Sequence, residues 1–216
     1  AREESEWISA FYVRLFSLAS TADISLPIKQ QLFQLADQAA LELPAASYPA
    51  AMYRYVNHLY ASGIPWEQAR DSVYQRYQVE QKDGYTMTSK NLYCNGCYAA
   101  GINFAASLVS LFYGEGDLKE TIKIGALAGW DSDNPTATWG GLIGFMLGKE
   151  GVEKAFGRKF SNKFHIHRTR VNFPNEGIDT FEAMAQKGLW IIDRVVQEEF
   201  KGGVDLGSNS WYIPKK

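Results

Sequence analysis

Residues 126–148, ALAGWDSDNPTATWGGLIGFMLG, decide how this chain is read. Asp131 and Asp133 stand one residue apart, just ahead of a helix whose first turn is marked by Pro135. Proline suits that position because the N–H it lacks has no helical partner there, and the helix dipole favours carboxylates at the same end. Spacing alone leaves two readings. Either Asp133 or Asn134 caps the helix and Asp131 is a solvated loop residue, or the pair offers two oxygen ligands to a hard cation such as magnesium or calcium while leaving other positions open. Farther along, Gly140, Gly144 and Gly148 recur every fourth residue and share one face. Glycine costs about 1 kcal/mol in a helix interior, so the stripe predicts a core helix, from about Pro135 to about Gly148, against which another backbone packs closely. Trp130 and Trp139 are near enough in sequence to line a pocket beside the aspartates.

Upstream, Ala99 to Tyr113 reads as a long helix stopped by Gly114 and Gly116. Asp117 with Glu120 forms a capping-box signature for the next helix, whose buried face is expected to carry Leu118, Ile122, Gly125 and Ala126. Nearer the start, Ile8, Phe11, Leu15 and Leu18, then Ile28, Leu32, Leu35 and Ala39, recur at helical spacing. After a turn at Pro44 to Pro49, Tyr53, Val56 and Tyr60 mark a third helix; Pro65 opens a fourth carrying Trp66, Ala69, Val73 and Tyr77. Val79 to Asn91 is polar, lacks a period and is expected to be an exposed loop.

Downstream, Lys163 to Phe173 alternates with one break and is the best strand or hairpin candidate. From Asp179 the helical period returns, with Phe181, Met184, Leu189, Ile192 and Val195 on one face and Gly202-Gly203 as terminator; Gly207 to Lys216 is expected to be an extended end. No internal repeat is visible. The pattern predicts an all-α fold with one small β-hairpin or strand excursion.

At 216 residues and 46% hydrophobic, the chain can bury a real core. Its net charge of -2 gives no bulk electrostatic reason to expect nucleic acid or an anionic membrane as partner. Apolar runs such as Ala99 to Phe112 are broken by glycine, asparagine or serine and fall short of the ~20 residues that span a bilayer. The opening residues, AREESEW, have neither the basic segment nor the apolar stretch of a signal or transit peptide. With no initiator methionine and an amphipathic pattern already under way, the expectation is a processed, nicked or cut chain. The compartment is not readable.

Cys94 and Cys97 leave a local C-x-x-C bridge, a redox pair or two free thiols. The absence of strand–helix context of the thioredoxin kind favours a disulfide or quiet thiols over redox catalysis. His165 and His167 fall on one face of the expected strand, where a solvated polar face beside Arg168 and Arg170 outweighs a metal site. His58 is expected to be a packed or surface residue.

The block from Ala126 to Gly148 resembles the C-terminal signature of the ADP-ribosylglycohydrolase family, roughly G-G-D-x-D-T-x-A-A followed by a G-A-x-x-G helix. The stretch from Ile102 to Gly125, two helices joined by a short turn, is similar to the pair that leads into that family's metal loop. The resemblance implies a multi-helix orthogonal bundle. It also implies metal-dependent hydrolysis at the anomeric carbon of ADP-ribose attached to a protein side chain or other acceptor, with Asp131 and Asp133 as metal-binding and catalytic residues. Two divalent ions, magnesium or manganese, would complete such a site.

Asn134 stands where the family more often has threonine or serine, and its amide oxygen is the matching candidate ligand; Trp130 stands where a second glycine is usual. Gly96 and Tyr98, in a glycine-containing loop ahead of the long helix, and Gly129 and Trp130 beside the aspartates are the candidate substrate contacts. The family's remaining ligands come from an N-terminal T-D-D-type motif, and no adjacent pair of aspartates occurs here. Residues 1–216 are therefore expected to be the C-terminal part of one such domain, completed by an N-terminal segment or a second chain of the same protein. A noncatalytic relative keeping the fold as a structural or ligand-binding module is the alternative.

Overall fold

A computed structural model describes residues 4–166 and 171–215, and the chain divides into two compact units, Ala1–Arg158 and Lys159–Lys216. The first unit is all helix: α1 (Glu4–Ala19), α2 (Ile28–Ala40), α3 (Tyr48–Ala61), α4 (Trp66–Val73), α5 (Ala100–Gly114), α6 (Leu118–Leu127) and α7 (Asp133–Phe156). The expected apolar periods are its core. Ile8, Phe11 and Leu15 are buried on α1, Leu32, Leu35 and Ala39 on α2, Tyr53 and Val56 on α3, and Ala69 and Val73 on α4. A π-helical stretch, Tyr74–Val79, extends α4 and keeps Tyr77 buried.

At the centre lies α5, whose sequence AGINFAASLVSLFYG carries no charge and is buried almost from end to end. A helix apolar on every side has nowhere to go but the interior, and α1, α3, α4, α6 and α7 all pack on it. Phe11 meets Phe104 edge to face at 5.1 Å, and Tyr12 lies 5.6 Å from Trp139. These rings fasten α1 to α5 and α7.

Asp117 caps α6 as its spacing predicts, accepting from the backbone N–H of Glu120 at 2.8 Å. The buried face of α6 differs from the expected one: Leu118, Thr121, Ile124 and Gly125 are buried, Ile122 is half-buried and Ala126 is exposed. Close backbone approach turns the helix. A Cβ on Gly114 would fall 2.7 Å from the Thr121 Cα, and one on Gly125 would fall 3.1 Å from both Ser110 Oγ and Thr136 Cγ2.

The stripe on α7 is a correction in the opposite sense. Gly140 and Gly144 have only ordinary contacts at 3.6 Å, and Gly148 faces open space while breaking the helix at φ 66° before it resumes to Phe156. The four-residue period placed these glycines on one face correctly, but that face is not where α7 packs; Trp139, Leu142 and Ile143 are. The polar stretch from Val79 to Asn91 is also less open than expected. It winds through short turns around Tyr85, which is buried with its ring 5.1 Å from Tyr48. A single anchoring ring leaves no period to read.

In the second unit β1 (Lys163–His165) pairs antiparallel with β2 (Ile178–Thr180), Phe164 opposite Asp179. The expected excursion is present, but its partner strand lies beyond Phe173. Thr180 caps α8 (Phe181–Glu198), its Oγ1 accepting from the Ala183 N–H at 3.1 Å. The apolar face of α8 is 38–50% exposed at Phe181, Met184, Leu189, Ile192 and Val195, and Val196 is its buried residue. The tail is not an extended end. It forms a hairpin, β3 (Gly203–Asp205) with β4 (Ser210–Tyr212), tied to α8 by Trp211 Nε1 donating to Asp193 Oδ1 at 2.8 Å. No helix among the described residues is long and apolar enough to cross a membrane.

Candidate functional site

The site begins with three polar residues in an otherwise apolar helix. Asn103, Ser107 and Ser110 follow the i, i+4, i+7 rule, so they share one face of α5, and all three are buried. Buried polar atoms must find partners, and each of these finds one on a neighbouring element. Ser110 Oγ donates to the Thr121 carbonyl at 2.6 Å, while Ser107 Oγ meets the Tyr12 hydroxyl at 2.7 Å. Trp139 Nε1 donates to the Ser107 carbonyl at 2.7 Å. Trp139 is fully buried, so the expectation that it lines a pocket is corrected: it is core, under the first turns of α7.

Asn103 governs two loops at once. Its Nδ2 donates to the carbonyls of Cys97 at 2.8 Å and Ala99 at 3.0 Å, and its Oδ1 accepts the backbone N–H of Asp131 at 3.0 Å. One carboxamide therefore fixes the loop before α5 and the acidic loop before α7. The acidic loop turns through two left-handed residues, Gly129 at φ 96° and Trp130 at φ 55°. For the tryptophan this conformation costs about 1–2 kcal/mol, offset by packing of its half-buried ring against the core.

Beyond the turn, the Asn134 N–H donates to the Asp131 carbonyl at 3.0 Å, and α7 starts with Ser132 as N-cap, without a side-chain capping bond. Asp133 and Asn134 lie inside the first turn, so neither caps the helix. Their carboxylate and amide are free of the structural duty that the spacing allowed. Asp131, Asp133 and Asn134 are exposed, and the Asp133 carboxylate, in hydrogen-bonding reach, pushes the Asp131 carboxyl above its ordinary range. Two ionised carboxylates are acceptors only. A neighbouring carboxylate disfavours ionisation of the other, which is the direction found at Asp131.

This donor chemistry fits part of a hard divalent cation's shell. The Asn134 amide oxygen is a further donor on the same turn, 3.5 Å from the Thr138 hydroxyl. Among the described residues no group of three or more histidine, cysteine or acidic side chains stands together to hold a metal. The loop offers a partial set.

The second loop carries the cysteines, which are joined as a disulfide. Cys94, Asn95 and Gly96 are consecutively left-handed, at φ 46°, 55° and 75°. Gly96 is buried, with Met87 Cγ only 2.9 Å from where a Cβ would stand, so glycine is required there on two counts. Tyr98 is 53% exposed. Of the residues expected from sequence, Gly96 and Tyr98 thus lie on one loop and Gly129, Trp130, Asp131, Asp133 and Asn134 on the other. They meet through Asn103, which sequence reasoning missed; its signal was a polar interruption in the apolar run from Ala99 to Phe112.

The histidines lie elsewhere. His165 Nε2 is 2.9 Å from the Glu176 carbonyl, His58 is on the surface, and His167 with its neighbours Arg168 and Arg170 falls outside the described residues.

Comparison with protein families gives one match, the model described as ADP-ribosylglycohydrolase, over residues 10–190. The chain belongs to the ADP-ribosylglycohydrolase family. The match runs from α1 into α8 and so takes in both compact units. No curated protein and no solved structure matches. ADP-ribosylglycohydrolases hydrolyse ADP-ribosyl linkages and are generally metal-dependent.

Proposed function

We propose that this chain contributes the acidic loop of a metal-dependent ADP-ribosyl glycohydrolase, with Asp131 and Asp133 as metal-binding and catalytic residues. The observation that carries the reading is the pairing of these carboxylates at the start of α7, held by a buried asparagine and free of capping duty. Asp131, Asp133 and the Asn134 amide oxygen would hold the cation. A magnesium or manganese pair supplies polarisation of ribose oxygens and a positioned water when bound. The bond broken is between the anomeric carbon of ADP-ribose and its acceptor; water adds hydroxyl to that carbon, and the proton leaves with the acceptor, a transfer that carboxylates perform in glycoside hydrolysis generally. Gly129 and Trp130 bound the substrate side of the acidic loop, and Gly96 with Tyr98 bound the opposing loop.

Residues 1–216 read best as the C-terminal part of the family's domain. Because the described residues hold no third acidic donor beside the pair, the remaining ligands are assigned to an N-terminal segment or a second chain of the same protein. A second reading, a noncatalytic relative acting as a structural or ligand-binding module, is favoured by Trp130 and Asn134, which stand where the family more often has glycine and threonine or serine. Titration with ADP-ribose in the presence and absence of magnesium separates the two. The hydrolase requires metal-linked binding and turnover that disappear in Asp131→Asn, and binding without metal linkage establishes the module.

A further inference from the structure

We infer that Asn103 is a positioning residue that couples the Cys94–Cys97 disulfide to the acidic loop, so that the redox state of the cysteines and divalent-cation affinity are linked. The inference rests on the reading of Asp131 and Asp133 as cation ligands. Its carrier is a continuous set of contacts: the Cys97 carbonyl accepts from Asn103 Nδ2 at 2.8 Å, and Asn103 Oδ1 accepts from the Asp131 N–H at 3.0 Å. Asn103 is only 6% exposed, so no solvent is at hand to replace a lost partner. The disulfide is the closure of a turn in which two non-glycine residues, Cys94 and Asn95, hold left-handed backbone. An L-residue leaves that conformation when nothing holds it.

Opening of the S–S bond by a dithiol such as dithiothreitol takes up two electrons and two protons. It yields the Cys94 and Cys97 thiols, and the dithiol closes into its own disulfide. The turn is then free to relax, the Cys97 carbonyl moves, and Asn103 Nδ2 is left with the Ala99 carbonyl as its one acceptor. With its carboxamide held less firmly, Oδ1 fixes the Asp131 backbone less tightly. Linkage is reciprocal: whatever factor reduction takes from cation affinity, a bound cation must return as resistance of the disulfide to reduction.

The test uses the full chain and manganese(II) as probe, followed by its electron paramagnetic resonance signal. The Cys94→Ser/Cys97→Ser double variant should bind the ion roughly five-fold more weakly than the oxidised protein, at the low end of couplings between sites. In a dithiothreitol redox buffer, saturating manganese should shift the wild-type thiol-to-disulfide ratio, read by alkylation and mass spectrometry, by the same factor. Asn103→Ala should keep its disulfide yet lose the manganese dependence of that ratio, which a merely structural role for the residue does not predict. If Asn103→Ala fails to fold by circular dichroism, the wild-type ratio with and without manganese still decides. Equal ratios overturn the coupling. Undiminished manganese binding in Asp131→Asn/Asp133→Asn overturns the ligand assignment and the coupling with it, whereas loss of binding there with equal wild-type ratios overturns the coupling alone.

Discussion

Alanine at five glycines measures which backbones touch. In α7, a Cβ on Gly140 would meet Ile122 Cδ1 at 3.6 Å and one on Gly144 would meet Val152 Cγ2 at 3.6 Å, both ordinary contacts. Each substitution therefore gains helix propensity, about 1 kcal/mol, without a steric charge against it, and should raise the melting temperature by about 2–4 °C for a chain of this size. Gly114→Ala is the opposite case. Its Cβ would stand 2.0 Å from Thr121 Oγ1 and 2.7 Å from the Thr121 Cα, and the latter contact is backbone that no rotamer change relieves. Separation of α5 from α6 costs on the order of 1–3 kcal/mol, more than propensity returns, so the melting temperature falls. Gly125→Ala, with neighbours at 3.1 Å, falls between. Gly148→Ala meets no atom but must hold φ 66° with ψ 173°, a region essentially reserved for glycine, at a strain of about 1–3 kcal/mol. Scanning calorimetry of the five variants gives the order directly. A Gly140→Ala protein destabilised as far as Gly114→Ala would refute the packing derived for α6 and α7.

Asp131→Asn and Asp133→Asn should each weaken manganese binding at least about ten-fold, since each removes a charged oxygen donor from a cation site; an isotherm unchanged in either variant rejects that residue as a ligand. Without divalent cations the sign reverses. The Asp131 carboxyl is raised by its neighbour, so the folded state takes up its proton more readily than the unfolded chain, and stability present at low pH is lost as pH rises through the folded value. In chelator, Asp131→Asn should melt higher than wild type at neutral pH with a flatter pH profile, and a lower melting temperature there speaks against carboxylate repulsion. Trp139→Ala should cost about 3–5 kcal/mol because the ring is fully buried under α7; denaturant unfolding that loses under about 1 kcal/mol removes it from the core.

Much of this architecture was legible because periodicity and caps are local. Pro65 and the Asp117–Glu120 pair marked helix starts within a residue or two, and the apolar repeats of α1 to α4 named the buried side chains. Orientation was less legible. The buried face of α6 is set by Gly114 and Gly125, residues that meet partners on other helices, and the α7 glycines looked like a packing face because a repeat carries no record of what stands opposite it. The β4 strand was missed for a related reason. Its hairpin is fastened by Trp211 to Asp193, 18 residues away, and nothing near Gly207 announces that bond.

The candidate site divides along the same line. Asp131 and Asp133 could be singled out because their chemistry is written in their side chains and their neighbours in sequence. What makes them a pair is not: the spacing allowed a cap, and only the assignment of Ser132 as N-cap releases Asp133 from that duty. Asn103 shows why such support is hard to see. Read alone it merely interrupts an apolar run, yet an asparagine in the interior of a buried helix is costly unless every one of its polar atoms is used. Taken with Ser107 and Ser110 at helical spacing, it defines a polar stripe whose serines bond Tyr12 of α1 and the Thr121 carbonyl of α6, while Asn103 alone reaches the loops. Of the three residues Asn103 is the one whose partners lie outside the helices, and the loop it holds through the Asp131 N–H is the acidic one.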